Sequence, residues 1–191
     1  MEPSNMCGRL NVIDDPLCRV VCEKLGIKFS TPTNKDLRPS EMVSTVIYEH
    51  GGFHQLDLQW GIKPEWSKKL IINAQSETAH IKPTFKRAFE TSRVIIPCSG
   101  WYEWSEVAGD KQKFLFRADN SKPVYMAGLA YRDTKQLVTL TTKPTLQCAA
   151  YHNRMPLVID DSDIEHWLTG ALDINEYPPA QETPYIIELH S

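Results

Sequence analysis

The sequence predicts an α+β fold, mainly β, in which a curled and largely antiparallel sheet or barrel carries a few short helices. Three observations predict it. With 191 residues, 41% of them hydrophobic, the chain can bury one substantial core and would be cramped as two domains. From Val43 to Ile159, short apolar-rich runs alternate with turn residues, and the gaps leave no room for repeated crossover helices, so strands must pair mostly antiparallel. A single strong helix signature stands ahead of these runs.

That helix comes first in the chain. Asp14-Asp15-Pro16, followed by Leu17, Val20, Val21 and Leu25 and then Gly26, reads as a capped amphipathic helix with proline in its first turn and glycine past its end. Cys18 and Cys22 sit four apart on it. They could begin a metal site, but no second pair and no His-x-x-x-His follows, so they read as helix-packing thiols. No metal and no cofactor are expected. After Pro39 the pattern turns to β: Val43 to Glu49 and Phe53 to Trp60 flank Gly51-Gly52, a hairpin signal. Further strands are expected at Arg93 to Cys98, Trp101 to Val107, Lys113 to Ala118, Val124 to Tyr131, Gln136 to Thr142 and Pro156 to Ile159, with turns at Gly109-Asp110 and Asp119-Asn120-Ser121. Asp161 to Leu168 reads as a helix with Trp167 and Leu168 inward, and Pro178-Pro179 lies in an irregular tail over about 170–191. There are no repeats and no dividing linker, so a single domain spans residues 1–191.

Composition narrows the class. No run approaches the roughly 18 apolar residues of a membrane span, and MEPSNMCGRL lacks the regions of a signal peptide. A soluble, intracellular protein is expected, cytoplasmic and nucleoid-associated if the source is bacterial, with no membrane partner and as a monomer. Five cysteines, an odd number, suit reduced thiols better than a disulfide framework. The net charge of −3 argues against holding nucleic acid by bulk charge alone. Its distribution differs: between Lys63 and Arg93, seven basic residues face Glu65, Glu77 and Glu90. A charge run is ordinarily a solvated face, but this one carries Trp66 and Phe85, and basic residues interleaved with aromatics suit a single-strand groove.

Polar residues inside apolar runs are the candidates for chemistry. Asn73 follows Leu70-Ile71-Ile72, Glu103 lies within Trp101-Tyr102-Glu103-Trp104, and His152 opens His152-Asn153-Arg154-Met155-Pro156. Singly, each has a bland reading: a turn or cap residue, the outward member of an alternating strand, and a satisfied core histidine. Their company carries more. Met6-Cys7-Gly8-Arg9, Trp60-Gly61 with Pro64 and Trp66, Ile72-Asn73-Ala74 with Glu77-Thr78-Ala79, Pro97 with Gly100 to Trp104, Ala127-Gly128-Leu129, Thr141-Thr142 and the His152 to Pro156 block occur in that order. Together they resemble the signature of the SOS response-associated peptidase (SRAP) family.

That resemblance implies a β-rich single domain that binds single-stranded DNA containing abasic sites and links the abasic aldehyde to an N-terminal cysteine as a thiazolidine. It implies Cys7, Asn73, Glu103 and His152 as the catalytic set, Arg9 and Arg154 as contacts to DNA backbone, and Trp66 and Trp101 as aromatics near the strand. The chemistry fits these types. An α-amine with a reference pKa of about 7.7–8.0 is partly unprotonated at neutral pH and can form a Schiff base, onto which a thiol of the same residue closes a five-membered ring. A carboxylate and an imidazole can move the protons, Asn73 can orient the amine or aldehyde, and guanidinium forks suit phosphates. Three departures stand out. Met1 to Met6 precede Cys7, which gains a free amine if self-cleavage removes them, if translation starts at Met6, or if they are not native to the chain; the sequence leaves all three open. Gln75 stands where relatives carry arginine, and Asn153 where aspartate is common. Two other readings of the residues stay open: a cysteine peptidase acting on other proteins, with Cys7 as nucleophile and His152 as base, and a single-strand binding module in which Cys7 is incidental.

Overall fold

The computed structural model of the protein describes residues 8–119, 122–174, 177 and 184–190. Cys7, the extension before it, the Asn120-Ser121 turn and Pro178-Pro179 lie outside the described residues. The sequence-predicted helix forms as α1, Asp14–Leu25, with Leu17 and Val21 buried. It ends at Gly26, whose φ of 66° lets its N–H reach the Cys22 carbonyl at 2.9 Å, a left-handed cap that suits glycine. The Cys18 and Cys22 thiols donate to the Thr31 and Phe29 carbonyls at 3.8 and 3.3 Å, fastening the helix to the loop that follows.

Twelve strands form two sheets among the described residues: β1 Leu10–Val12, β2 Asn34–Leu37, β3 Met42–Glu49, β4 Gly52–Trp60, β5 Asn73–Gln75, β6 Arg93–Cys98, β7 Gly100–Val107, β8 Asp110–Arg117, β9 Val124–Tyr131, β10 Gln136–Thr142, β11 Met155–Pro156 and β12 Ile186–His190. In the larger sheet the pairings β10-β4-β3-β6-β9 return from β9 to β10, so the expected curled sheet closes into a ring. Pairing is antiparallel except where β4 and then β5 run parallel to β10. Val46, Trp60, Ile95, Met126, Leu129 and Leu137, one or more from each strand of that ring, have no solvent exposure. The β3–β4 turn is centred on His50-Gly51, with φ of 52° and 78°, one residue earlier than Gly51-Gly52.

The smaller sheet runs β12-β8-β7-β1-β2. It is joined to the ring where β6 passes into β7 through Ser99, whose amide donates to the Asn11 carbonyl at 2.8 Å and whose hydroxyl accepts from Ile13 N–H at 3.0 Å. Gly100 makes this corner possible, because a Cβ there would stand 2.3 Å from the Phe116 carbonyl oxygen on β8. Backbone cannot yield as a side-chain tip can. Gly100→Ala is therefore predicted to cost roughly 1–3 kcal/mol, as overpacking does, and urea denaturation should show the loss; an unchanged midpoint would mean that β7 and β8 are not held at this distance.

Several expectations need correction. The strand at Pro156 to Ile159 shrinks to Met155–Pro156 plus a single bridge from Val158 to Met126. The tail is not irregular throughout, since Ile186–His190 pairs along β8. Within the basic run, α2 (Ser76–Ala79) and α3 (Pro83–Thr91) form, and Phe85 packs into the core from α3. Arg93 turns inward too: its guanidinium lies 4.2 Å over Phe89 and 4.7 Å over Trp167 and donates to the Phe89 carbonyl at 2.9 Å. Neither residue can line a groove. Two more helices complete the fold, α4 (Leu146–Ala149) and α5 (Ile164–Thr169), the latter after a 3-10 turn at Asp161–Asp163 and with Trp167 and Leu168 buried as expected.

Candidate active site

The segment before β1 continues its antiparallel course beside β7: Leu10 pairs with Trp101, and Tyr102 N–H donates to the Arg9 carbonyl at 3.0 Å. This brings Gly8 and Arg9 to Glu103. Together with Pro39, Trp104, Lys111 and His152 they line a cavity of about 340 Å³. Glu103 is only 2% exposed, which excludes the outward-facing reading of its strand position.

His152 enters the cavity from the turn between α4 and β11. Its amide donates to the Cys148 carbonyl at 3.1 Å, and its Nδ1 lies 3.1 Å from the Arg154 amide and 3.3 Å from the Arg154 carbonyl. Neutral, Nδ1 accepts the amide hydrogen and the ring proton sits on Nε2; protonated, Nδ1–H can donate to the carbonyl. One residue thus serves both states. Burial lowers the His152 pKa below the ordinary imidazole value, against a smaller upward pull from the hydrogen bond to Arg154, so the neutral ring dominates at pH 7. Asn73 is not among the described residues lining this cavity. It stands on β5 opposite Thr139 of β10, whose hydroxyl donates to Asn73 Oδ1 and so turns the amide NH₂ outward from that contact as a donor.

Both expected phosphate forks are engaged by carboxylates. Arg9 Nη1 donates to Asp36 at 3.0 and 3.2 Å, and Arg38 and Lys113 each reach the same carboxylate at 2.8 Å. Burial raises the Asp36 pKa, but its contacts with Lys113, Arg38 and Arg9 outweigh that and hold the carboxyl far below the usual range. Three cations thus share the Asp36 carboxylate, and Arg9 also lies 5.7 Å over the Trp104 ring. Arg154 is held more tightly, by a two-pronged contact with Glu77 at 2.7 and 2.8 Å and a bond to the Thr141 carbonyl at 2.7 Å.

The two tryptophans part company. Trp66 is 69% exposed and borders a separate cavity of about 380 Å³ with Lys63, Pro64, Thr84, Tyr131 and Gln136. Trp101, expected near a bound strand, has no exposure at all: it stacks on Phe116 at 5.1 Å and meets Tyr185 edge-on at 4.9 Å. A ring without accessible surface offers no stacking face, so Trp101 is corrected to core. The sequence reading missed Asp36, since Asn34-Lys35-Asp36-Leu37 has no alternation to mark it as a strand, and gave Lys111 and Lys113 no place at a site. Cys7 is outside the described residues, but Gly8, the next residue, is a wall of the cavity.

Comparison with known proteins bears on this site. The sequence model described as SOS response associated peptidase (SRAP) matches residues 6–185. Abasic site processing protein YoqW of Bacillus subtilis is 27% identical over 201 residues, covering 94% of this chain and 88% of that protein. Abasic site processing protein YedK of Escherichia coli is 30% identical over 125 residues, 61% of this chain and 56% of that one, and the Gallus gallus protein HMCES, of the same description, is 26% identical over 152 residues, 61% and 45%. A crystal structure of a Bordetella bronchiseptica protein shares the fold with a TM-score of 0.76 at 20% identity, over 97% of this chain and all of that one. No described helix is long and apolar enough to cross a membrane.

Proposed function

The chain belongs to the SOS response-associated peptidase family, and on that premise we propose that it processes abasic sites in single-stranded DNA by forming a covalent thiazolidine through Cys7, after self-cleavage exposes the Cys7 amine. One observation carries the reading: Gly8, Glu103 and His152 share one cavity, whose lining also includes the cations Arg9 and Lys111.

The steps balance. In self-cleavage, the Cys7 thiol attacks the Met6 carbonyl, the C–N bond breaks with a proton delivered to the departing Cys7 amine, and water hydrolyses the resulting thioester to release Met1 to Met6. With DNA, the freed amine adds to the C1 aldehyde of the opened sugar and expels water as a Schiff base forms. The thiol then adds to the imine carbon and its proton passes to nitrogen, closing the ring. Glu103 is assigned the proton transfers at the Cys7 amine and thiol, and His152, neutral at pH 7, those at the sugar oxygen. Asn73 is assigned the orientation of the amine or aldehyde by hydrogen bonds. Arg9 supplies charge at the rim for a flanking phosphate, and exposed Trp66 a stacking surface.

Intact mass spectrometry of the purified chain, before and after mixing with abasic single-stranded DNA, tests the proposal. The expected result is a chain beginning at Cys7 that gains the mass of the oligonucleotide less one water. A trimmed chain that forms no adduct would overturn the crosslinking role, and hydrolysis of added peptides without an adduct would favour a peptidase acting in trans.

A further inference from the structure

We propose that Glu77 is a positioning residue: by gripping the Arg154 guanidinium across the end of β10, it fixes the His152–Arg154 turn and with it the orientation and tautomer of the His152 ring. The inference rests on the reading of His152 as an acid–base group. It adds a role for a carboxylate that lies outside the cavity lining.

The geometry is that of a clasp. Thr141 of β10 pairs with Gln75 of β5 on one side and with Pro156 of β11 on the other. Arg154, just ahead of β11, sends its guanidinium over Thr141, donating to the Thr141 carbonyl at 2.7 Å and hydroxyl at 3.3 Å, and on to both oxygens of Glu77 at 2.7 and 2.8 Å. Glu77 stands in α2, which follows β5 without a break. The contact therefore ties the strand carrying Asn73 to the turn carrying His152, with β10 between them.

Two features give the clasp strength and direction. The Arg154 side chain is only 13% exposed, so its fork lies in a poorly solvated place where charge-assisted bonds are stronger. The hydrogen bond from Arg154 lowers the Glu77 pKa against an opposing desolvation, so the carboxylate is charged throughout the neutral range. Meanwhile the backbone N–H of the same Arg154 donates to His152 Nδ1 at 3.1 Å. Side chain and backbone of one residue thus link Glu77 to the imidazole. In this reading Arg154 acts as a positioning group through its contacts with Glu77 and Thr141.

The test is the titration of the His152 ring, followed by NMR in the full chain without DNA and compared with the pH profile of adduct formation. The ring shares its cavity with Arg9, Glu103 and Lys111 and is flanked by Arg154 and the α4 residue Cys148, all unchanged in Glu77→Gln. In that variant the turn loosens and the ring gains water, so the His152 midpoint is expected to rise toward the ordinary imidazole value, and the pH profile of adduct formation to move in the same direction. Glu77→Asp, which keeps the charge, should restore part of the wild-type midpoint. Should Glu77→Gln fail to fold, Arg154→Lys, which keeps the charge and loses the fork, carries the same expectation. A folded variant with an unmoved midpoint overturns the positioning role. A midpoint that moves while adduct formation stays unchanged upholds the clasp and overturns instead the acid–base role of His152.

Discussion

Cys7→Ala and Cys7→Ser are each expected to reduce the denaturant-stable adduct with abasic DNA to background, the largest effect predicted for this protein. The two variants remove different things. Alanine removes the sulfur and leaves no side-chain nucleophile; serine keeps a nucleophilic atom in place, and an amine if processing still occurs. A Schiff base from that amine hydrolyses back to aldehyde, because only ring closure by sulfur takes the imine out of equilibrium with water. The effective concentration of a thiol held on the same residue is what makes closure favourable, and no diffusing thiol reproduces it. Heat-denaturing gels of protein mixed with abasic oligonucleotide decide the matter: a persistent shifted band with either variant would show that the link is not a thiazolidine.

Glu103→Gln is expected to leave Met1 to Met6 attached while the wild-type chain trims to Cys7. The amide keeps the shape of the side chain and removes its base, and general-base assistance is worth about 10²- to 10⁴-fold, enough to separate a trimmed from an untrimmed preparation over the same time. The buried setting sharpens the contrast, since a carboxylate that is 2% exposed has little bulk water to stand in for it. Intact mass reads the outcome. Equal trimming in the two proteins would remove Glu103 from the processing step, whereas a wild type that neither trims nor crosslinks would mark residues 1–6 as a block.

How far the sequence made this site legible depends on where the deciding contact lies. The ring strands were readable because β3, β4, β6, β9 and β10 are long and apolar enough to bear their own signal. β2 was not: of Asn34-Lys35-Asp36-Leu37 only Leu37 is buried, and its pairing with β1 supplies the order that its composition lacks. The α3 signal was present in Phe85, Ala88 and Phe89, spaced three and four apart, but lay inside a run whose charges pointed to a groove. Trp101 and Glu103 sit two apart on one strand, and nothing local distinguishes a ring stacked on Phe116 from one facing solvent. Glu77 lay inside a quoted motif, yet its partner is 77 residues away, a pairing that no local pattern encodes.

The closing of the ring on β10 sets a schedule for biosynthesis. Gln59 of β4 must wait for Gln136 of β10, and until that partner has been synthesised the β3–β4 hairpin and β6 have only an open sheet whose free edge can accept another chain. At the usual elongation rate of about 5–20 residues per second, the interval between these partners lasts several seconds, far longer than a hairpin needs to form. The His152 turn and Arg154 emerge later still, after the barrel seam can zip, so the clasp with Glu77 forms on an already closed scaffold. A nascent chain stalled before residue 136 therefore exposes its strand edges without having assembled the chemistry, and its risk is aggregation rather than untimely reaction with DNA.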